Sequence, residues 1–300
     1  MSASSTTAAR GGSGAASRWT SSDALLVLAL VAGSVVAFEA GWSDIYVQAV
    51  KRTDNGYILV VPFVAAYLAW LRRSRLRFVR RRPSFVGPIV LVGAALLAWW
   101  GDETDTRVAG NLAAVLALAA CFLTMAGTVV LREFLPAFVA LFFLIPVPGE
   151  IRRMLAGPLQ DLAVGVTQEI LDLASIPAER QGNVIFIAGK PILVGEACDG
   201  LRMVLALALT VYAFVFSVPL RFSARLVLLA ASPFIALLCN IIRLVPTGLA
   251  YAYSSESLAI ELHDVAGWLM LPVAIVMLFG LVRFMRWLDL PVFTWRFLQA

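Results

Sequence analysis

Three side chains stand out because their types and positions fit covalent chemistry. Cys198 lies in GEACDGLR, Arg243 in NIIR, and His263, the single histidine of the chain, in LHDVAGW. A thiolate is a nucleophile, and an imidazole within hydrogen-bond reach can take up its proton and later release it. A guanidinium can stabilise the oxyanion of a tetrahedral intermediate or hold a substrate carboxylate. If the three groups meet, the set predicts acyl transfer.

Cys198 is expected at the N-terminus of an apolar helix, where unpaired backbone N–H groups and the helix dipole stabilise a thiolate. Asp199 is a predicted cap of that helix, although its charge opposes thiolate formation. Arg202, about one turn later, is predicted to supply the compensating positive field. The alternative is a simple packing cysteine, and this interpretation is preferred for Cys121 and Cys239, which lie inside apolar runs.

Arg243 is a charge within the apolar segment LLCNIIRLVP. A charge inside a membrane span is costly, so it indicates a functional site by default. Asn240, three residues earlier, shares its helix face and is predicted to assist it. The competing interpretation is a structural ion pair between Arg243 and one of three acids, Glu196, Asp199 or Glu261.

His263 is expected to begin the last apolar helix, after the polar loop YSSESLAIEL. Its alternative role is an interfacial anchor for a helix end. A single histidine cannot form a two-histidine metal site, and the three cysteines show no CxxC spacing. We therefore predict no metal and no other cofactor.

The elements that position these residues follow from composition. Hydrophobic residues make up 61% and charged residues 14% of the chain, with a mean hydropathy of +0.87, which excludes an ordinary soluble domain. We predict an all-α polytopic membrane bundle. The polar, low-complexity segment 1–22 is predicted to be a disordered cytoplasmic tail.

Eight apolar runs approach the roughly 20 residues that a spanning helix needs. They are Asp23–Phe38, Gly56–Leu71, Ser84–Trp100, Val108–Leu131, Phe134–Pro148, Leu201–Val218, Leu226–Ala250 and Val265–Phe284. Segment 23–148 thus holds helices one to five and segment 198–284 the catalytic helices six to eight. The fifth run is short and rich in proline.

Orientation follows from the basic residues, which favour the cytoplasmic side. The loop LRRSRLRFVRRR has seven arginines and is placed inside, whereas the acidic loop GDETDTR is placed outside. Both termini, including segment 285–300, then face the cytoplasm. Segment 149–197 is predicted to be extracytoplasmic, with an interfacial amphipathic helix followed by a β-hairpin, NVIFI–AGK–PILV.

The motifs resemble those of the exosortase and archaeosortase family of membrane transpeptidases. The similarity covers FLIPVPGEIRRMLAGPLQ, IPAERQGNVIFIAGKPILVGEACDGLRMVLAL, LLCNIIRLV and ELHDVAGWLMLP. It implies catalytic roles for Cys198, Arg243 and His263 and a thioester on the cysteine. Asp199 departs from the small residue, such as serine, that many members have there.

The resemblance also implies the partners. They are exported proteins with a short C-terminal motif such as Pro-Glu-Pro, a hydrophobic helix and a basic tail, together with an unknown acceptor nucleophile. The enzyme is expected in the cytoplasmic membrane, with its active site on the outer face and no role for nucleic acid. The main alternative is a transporter or channel in which Arg243 binds an anion, but the spans show no internal repeat. A glutamate-based membrane protease would need clustered glutamate and histidine ligands.

Overall fold

The computed structural model describes residues 21–78, 84–182, 184–187, 189–193, 201–290 and 292–293. This part of the chain is mostly helical. Its α-helices are α1 (Ser21–Ala37), α2 (Glu39–Lys51), α3 (Val61–Leu71), α4 (Val86–Glu103), α5 (Arg107–Ala126), α6 (Thr128–Leu141), α7 (Gly149–Leu173), α8 (Leu201–Ser217), α9 (Phe222–Tyr253) and α10 (Glu256–Trp287). Short 3₁₀ segments occupy Thr53–Val60, Arg73–Phe78 and Phe142–Leu144.

By length and composition, the described helices give four to six candidate membrane spans, which does not confirm the eight expected. α4, α5, α9 and most of α10 are long and apolar enough to cross a membrane on their own. Two bent pairs raise the number to six if each is one span: α1 with α2, bent by 78°, and Thr128–Leu144 with α7, bent by 91°. Two shorter apolar helices cover two further predicted runs: Asn55–Leu71, in which the first 3₁₀ segment continues into α3, and Met203–Ser217 of α8.

Two boundaries differ from the sequence prediction for identifiable reasons. The run predicted to continue to Leu131 breaks at Gly127, whose φ of 68° lies in the left-handed region that favours glycine. α5 therefore ends at Ala126, and α6 begins six residues before the predicted Phe134. At the N-terminus, α1 begins at Ser21, so the last two residues of the predicted tail are helical; residues 1–20 lie outside the described part.

Side-chain contacts identify one end of the bundle, which we call the arginine end. Arg72, just after α3, donates hydrogen bonds to the carbonyl oxygens of Leu68 (3.2 Å) and Phe216 (3.0 Å), which joins α3 to the C-terminal end of α8. Arg75 pairs with Glu133, near the start of α6, at 3.0 Å. The arginine-rich segment and the end of α8 thus lie together.

The opposite end, called the distal end below, follows from the short connections. α8 is joined to α9 by residues 218–221, and α9 to α10 by Ser254 and Ser255 alone. The three helices therefore run antiparallel, with the start of α8 and the α9–α10 turn at the distal end. α5 leads into α6 at the arginine end, so the α4–α5 turn also lies at the distal end. Apolar residues from all three helices form one core, including Leu207, Val211, Ala236, Cys239, Met270 and Ala274.

A small antiparallel sheet follows α7. Its strands are β1 (Ala178–Gln181), β2 (Val184–Ile187) and β3 (Lys190–Leu193), in the order β1-β2-β3. The sheet has three strands where the sequence predicted a two-stranded hairpin. The additional strand has the sequence AERQ, which lacks the β-branched and aromatic residues that predict strands.

α7 and the sheet form a layer over one stretch of α9. Buried residues of α7, Ala163, Val164 and Leu171, join Ile185 and Ile187 of β2 and Ile241 and Leu244 of α9 in a second apolar cluster. α7 covers the segment where an amphipathic helix was predicted, and its buried face is the one that contacts α9. β3, the last described element before Cys198 in the chain, belongs to this layer.

Candidate functional site

Arg243 lies buried on α9 beside a buried amide. Its side chain is 6% exposed, and Asn240 is fully buried. Arg243 Nη2 donates a hydrogen bond of 2.9 Å to Asn240 Oδ1, and Thr247 Oγ1 donates one of 2.7 Å to the Arg243 carbonyl oxygen. Positions 240, 243 and 247 share one helix face. An apolar helix therefore has one buried polar face.

Arg243 faces α10 at a glycine. A Cβ placed on Gly267 would lie 4.0 Å from Arg243 Nη1, which is ordinary van der Waals distance, so the guanidinium lies next to this turn of α10. His263 is four residues before Gly267 and thus on the same face of α10, one turn nearer the distal end. The predicted base and the predicted guanidinium therefore lie on facing sides of adjacent helices.

The depths of these residues agree along the helix axes. Arg243 is ten residues before the end of α9 and Gly267 is eleven residues after the start of α10. At 1.5 Å per residue, they lie about 15 and 17 Å from the α9–α10 turn. His263, at about 11 Å, is half-buried. Both residues therefore lie within their helices, and for His263 this corrects the expected position at the start of the last apolar helix.

The start of α10 explains this correction for His263. Ser255 caps the helix, since its hydroxyl accepts a hydrogen bond of 3.4 Å from the Leu258 backbone N–H. The cap starts α10 at Glu256, so most of the predicted loop YSSESLAIEL is helical and His263 follows two turns into the helix. Serine is a preferred N-cap residue, and that signal was present in the sequence.

The α7–sheet layer closes the side of α9 next to Arg243. Leu244 follows Arg243 directly and is buried against this layer. Gly248, one turn later, permits close packing, because a Cβ there would lie 3.0 Å from Ile187 Cδ1 of β2. The guanidinium is therefore buried next to this layer, and its electrostatic interactions are stronger there than in water.

Cys198 and Asp199 lie in segment 194–200, outside the described residues. Arg202 belongs to the first turn of α8, and the structure describes its backbone only. The flanks of the segment are described. β3, which packs on α9, precedes it, and α8 follows it, with Met203 and Val204 packed against the core that contains Cys239 and Met270.

The other two cysteines are buried in the bundle. Cys121 is 3% exposed and donates to the Ala117 carbonyl oxygen at 3.2 Å. Cys239 is fully buried, with its Sγ 3.7 Å from Met277 Sδ. Within the described residues, no group of three or more histidine, cysteine, aspartate or glutamate side chains is arranged to hold a metal ion.

Two site residues were not predicted. They are Gly267 and Thr247. The spacing of each from a predicted site residue is visible in the sequence, but it can be interpreted only when the pairing of the helices is known. Gly267 is at i+4 from His263, and Thr247 continues the spacing from Asn240 and Arg243. These intervals define one face of each helix, but they do not show which helices face each other.

Comparison with known proteins identifies the family. The profile of the transmembrane exosortases matches residues 42–280, which include Arg243, His263 and segment 194–200. No curated protein matches the chain, and no solved structure does. Exosortases are membrane cysteine transpeptidases that act on exported proteins. With four to six candidate spans in its described helices, the chain is a multi-pass membrane protein that belongs to the transmembrane exosortase family.

Proposed function

We propose that this protein cleaves C-terminal sorting signals of exported proteins through a thioester on Cys198. The signal would combine a short motif of the Pro-Glu-Pro kind, an apolar helix and a basic tail. His263 carries the proton, and Arg243 stabilises the oxyanion or holds a substrate carboxylate. The observation that carries the proposal is the buried Arg243 guanidinium, which is held by Asn240 and faces α10 one turn from His263.

The proposed reaction has two halves. His263 accepts the Cys198 proton, and the thiolate attacks the scissile carbonyl carbon to give a tetrahedral oxyanion. The C–N bond then breaks, the leaving amine takes the proton from the imidazolium, and a thioester remains. In the second half, His263 deprotonates an acceptor nucleophile, which attacks the thioester and releases the Cys198 thiol.

Covalent geometry supports Cys198 as the nucleophile. It is three residues before Leu201, so its Cα lies at most about 11 Å from the start of α8. α8 starts at the distal end, on the core shared with α9 and α10. In this proposal Asp199 caps α8, and Arg202 supplies positive charge to the thiolate.

The positions of the two ends of the bundle support an active site on the outer side of the membrane. Arg72, Arg73 and Arg75 belong to the arginine-rich loop, and Arg72 binds the C-terminal end of α8. Arg243 and His263 lie toward the distal end. If arginine-rich loops stay in the cytoplasm, the reacting groups are on the outer half of the cytoplasmic membrane, where an exported substrate presents its signal.

The direct test uses an exported reporter that ends in a Pro-Glu-Pro motif, an apolar helix and an arginine cluster. We expect Cys198→Ala to remain inserted but to abolish processing and to remove the thioester-linked peptide. Cys239→Ala, which changes a buried packing cysteine, is the matched control and should process the reporter. Normal processing by Cys198→Ala would exclude this nucleophile.

The variant Arg243→Lys distinguishes a catalytic role of the guanidinium from a structural one. A lysine retains the charge but not the planar fork of donors that binds an oxyanion or carboxylate. We expect severe loss of processing with the protein still inserted. Turnover close to that of the unaltered enzyme would show that Arg243 serves only as a structural or anion-binding charge, as in the transporter alternative.

A further inference from the structure

A polar cavity of about 300 Å³ lies at the distal end, between α2 and the α4–α5 turn. Its polar lining residues are Asp44, Asp102, Asp105, Arg107 and Asn111, with Thr106. α2 and the start of α5 form one wall, and the turn forms the other. The cavity belongs to helices other than α8, α9 and α10, and the proposed peptidase chemistry does not use it.

The cavity walls are formed by α2, α4 and α5, which pack closely at glycines. A Cβ on Gly41 would lie 2.5 Å from the Gly110 carbonyl oxygen, and one on Gly101 would lie 2.9 Å from the Ala109 Cβ. α2 therefore approaches the backbone of α5, and α4 approaches Ala109 of α5, to distances that only a glycine permits. All three glycines line the cavity. The site is thus preformed by three helices in contact.

Asp44 is held in place by two donors within the bundle. Its Oδ2 accepts hydrogen bonds from Gln48 Nε2 at 2.7 Å and from Asn111 Nδ2 at 2.8 Å. Its Oδ1 lies 3.8 Å from Arg107 Nη1, at the rim. With Asp102 and Asp105, the lining carries three carboxylates and one guanidinium, a formal charge of −2.

Asn111 adds a buried acceptor without a donor. It is 1% exposed, and its Nδ2 donates to Asp44, which fixes its Oδ1 as the acceptor. Within the described residues this Oδ1 has no hydrogen-bond partner. A buried acceptor without a donor costs free energy. A ligand that donates hydrogen bonds would remove this cost.

These observations define the ligand by its chemistry. The negative lining favours a cation, and the Asn111 acceptor requires an N–H or O–H donor. No group of three acidic, histidine or cysteine side chains in the described chain is arranged for a metal ion. We propose that this cavity binds a protonated primary amine, with Asp44 and Asn111 Oδ1 as its main acceptors. The amine has two possible sources, a phosphoethanolamine lipid headgroup and a small soluble amine.

Thermal stability of the purified full-length protein tests the proposal, because a ligand that binds only the folded state raises the unfolding temperature. The probes are ethanolamine and choline at neutral pH. They carry the same charge and the same hydroxyl group, but choline has no N–H donor, so the comparison isolates the ammonium N–H groups. We expect ethanolamine to raise the unfolding temperature and choline to leave it unchanged. An equal rise with choline, or a rise with Ca²⁺ and none with ethanolamine, would overturn the proposal.

Variants locate the binding site. Asp44→Asn and Asn111→Leu should each weaken ethanolamine binding by roughly tenfold or more, since each removes a hydrogen bond to a charged donor. Asp105→Asn lies on the exposed turn and should weaken ethanolamine binding to a smaller extent. It tests the site even if Asp44→Asn and Asn111→Leu prevent folding. Asp172→Asn, an exposed acid on α7 outside the cavity, should bind normally. Equal binding by wild type, Asp44→Asn and Asp105→Asn would refute the site.

The source of the amine is tested in lipid nanodiscs. The protein is compared in bilayers of phosphoethanolamine and of phosphocholine lipids, with and without free ethanolamine. If the ethanolamine lipid alone gives the stabilisation and removes the response to the free amine, the ligand is a lipid headgroup. If free ethanolamine stabilises the protein equally in both bilayers, the ligand is a soluble amine.

Discussion

The Arg243 guanidinium donates a 2.9 Å hydrogen bond to the Asn240 side-chain oxygen, one turn earlier on α9. Both residues are buried. The amide fixes one nitrogen of the guanidinium and leaves Nη1 on the side of α10, next to Gly267. Asn240 therefore orients Arg243, and two predictions about this region can be tested with the reporter described above.

Asn240→Leu removes the acceptor and keeps a similar volume. We expect processing to fall roughly tenfold or more, since hydrogen bonds to charged groups contribute about 1.5–3 kcal/mol. Asn240→Asp keeps an acceptor at the same position and should retain more of the rate than Asn240→Leu. The measurement is the initial rate of reporter cleavage at equal amounts of inserted enzyme. Equal rates for Asn240→Leu and the unaltered protein would show that the amide does not orient the guanidinium.

Gly267 is predicted to tolerate alanine but not leucine. A Cβ at this position reaches ordinary van der Waals distance of Arg243 Nη1, at 4.0 Å, so Gly267→Ala should process the reporter almost normally. The larger side chain of Gly267→Leu should displace the guanidinium and abolish most of the activity. Gly280→Leu on the same helix is the control, because a Cβ there meets nothing within 4 Å. Similar rates for both leucine variants would contradict the predicted displacement.

The sheet is predicted to depend on Arg180. Its guanidinium donates to the carbonyl oxygens of Gly182 (2.9 Å) and Asp161 (3.3 Å) and pairs with the Asp161 carboxylate. Arg180→Gln should increase amide hydrogen exchange in β1 and β2 while leaving the exchange of α9 unchanged. The effect on global unfolding should be small, about 0–1 kcal/mol, because the pair is partly exposed. Unchanged exchange in β1 would mean that the apolar contacts of β2 alone hold the sheet.

The α4–α5 contact is predicted to depend on one glycine of α4 and not on another. A Cβ on Gly87 would overlap the backbone of Thr124, whereas one on Gly93 would meet nothing within 4 Å. Gly87→Ala should lower the free energy of unfolding by about 1–3 kcal/mol. Gly93→Ala should raise it by up to about 1 kcal/mol through helix propensity. Thermal unfolding in one detergent checks both, and equal effects would rule out close packing at Gly87.

Much of the architecture was predictable from local signals. Each of the eight apolar runs coincides largely with helical structure, because a long apolar segment has few alternatives in a membrane. The run that crosses Gly127 was predicted as continuous because hydropathy does not detect a backbone with positive φ. The helix α2, bent from α1 by 78°, was not predicted, since its sequence mixes apolar and polar residues.

The candidate site was predictable as a set of residue types but not as a geometry. The sequence shows an arginine inside an apolar run and a single histidine. Their depth in the bundle depends on where α9 ends and α10 starts, and the Ser255 cap and the two-residue turn set these boundaries. The pairing of Arg243 with Gly267 depends on the rotation of two helices about their axes, and no local pattern specifies it. The position of Cys198 relative to both remains a prediction.

The two-residue connection at Ser254 and Ser255 has a mechanical consequence. A tether this short gives α9 and α10 almost no slack, so they cannot slide past each other by a helical turn of 5.4 Å without unwinding residues at the turn. The turn therefore fixes the depths of Arg243 and His263 relative to each other along the two helices. Separation of α9 and α10 at this turn is limited in the same way, because it would stretch the two connecting residues.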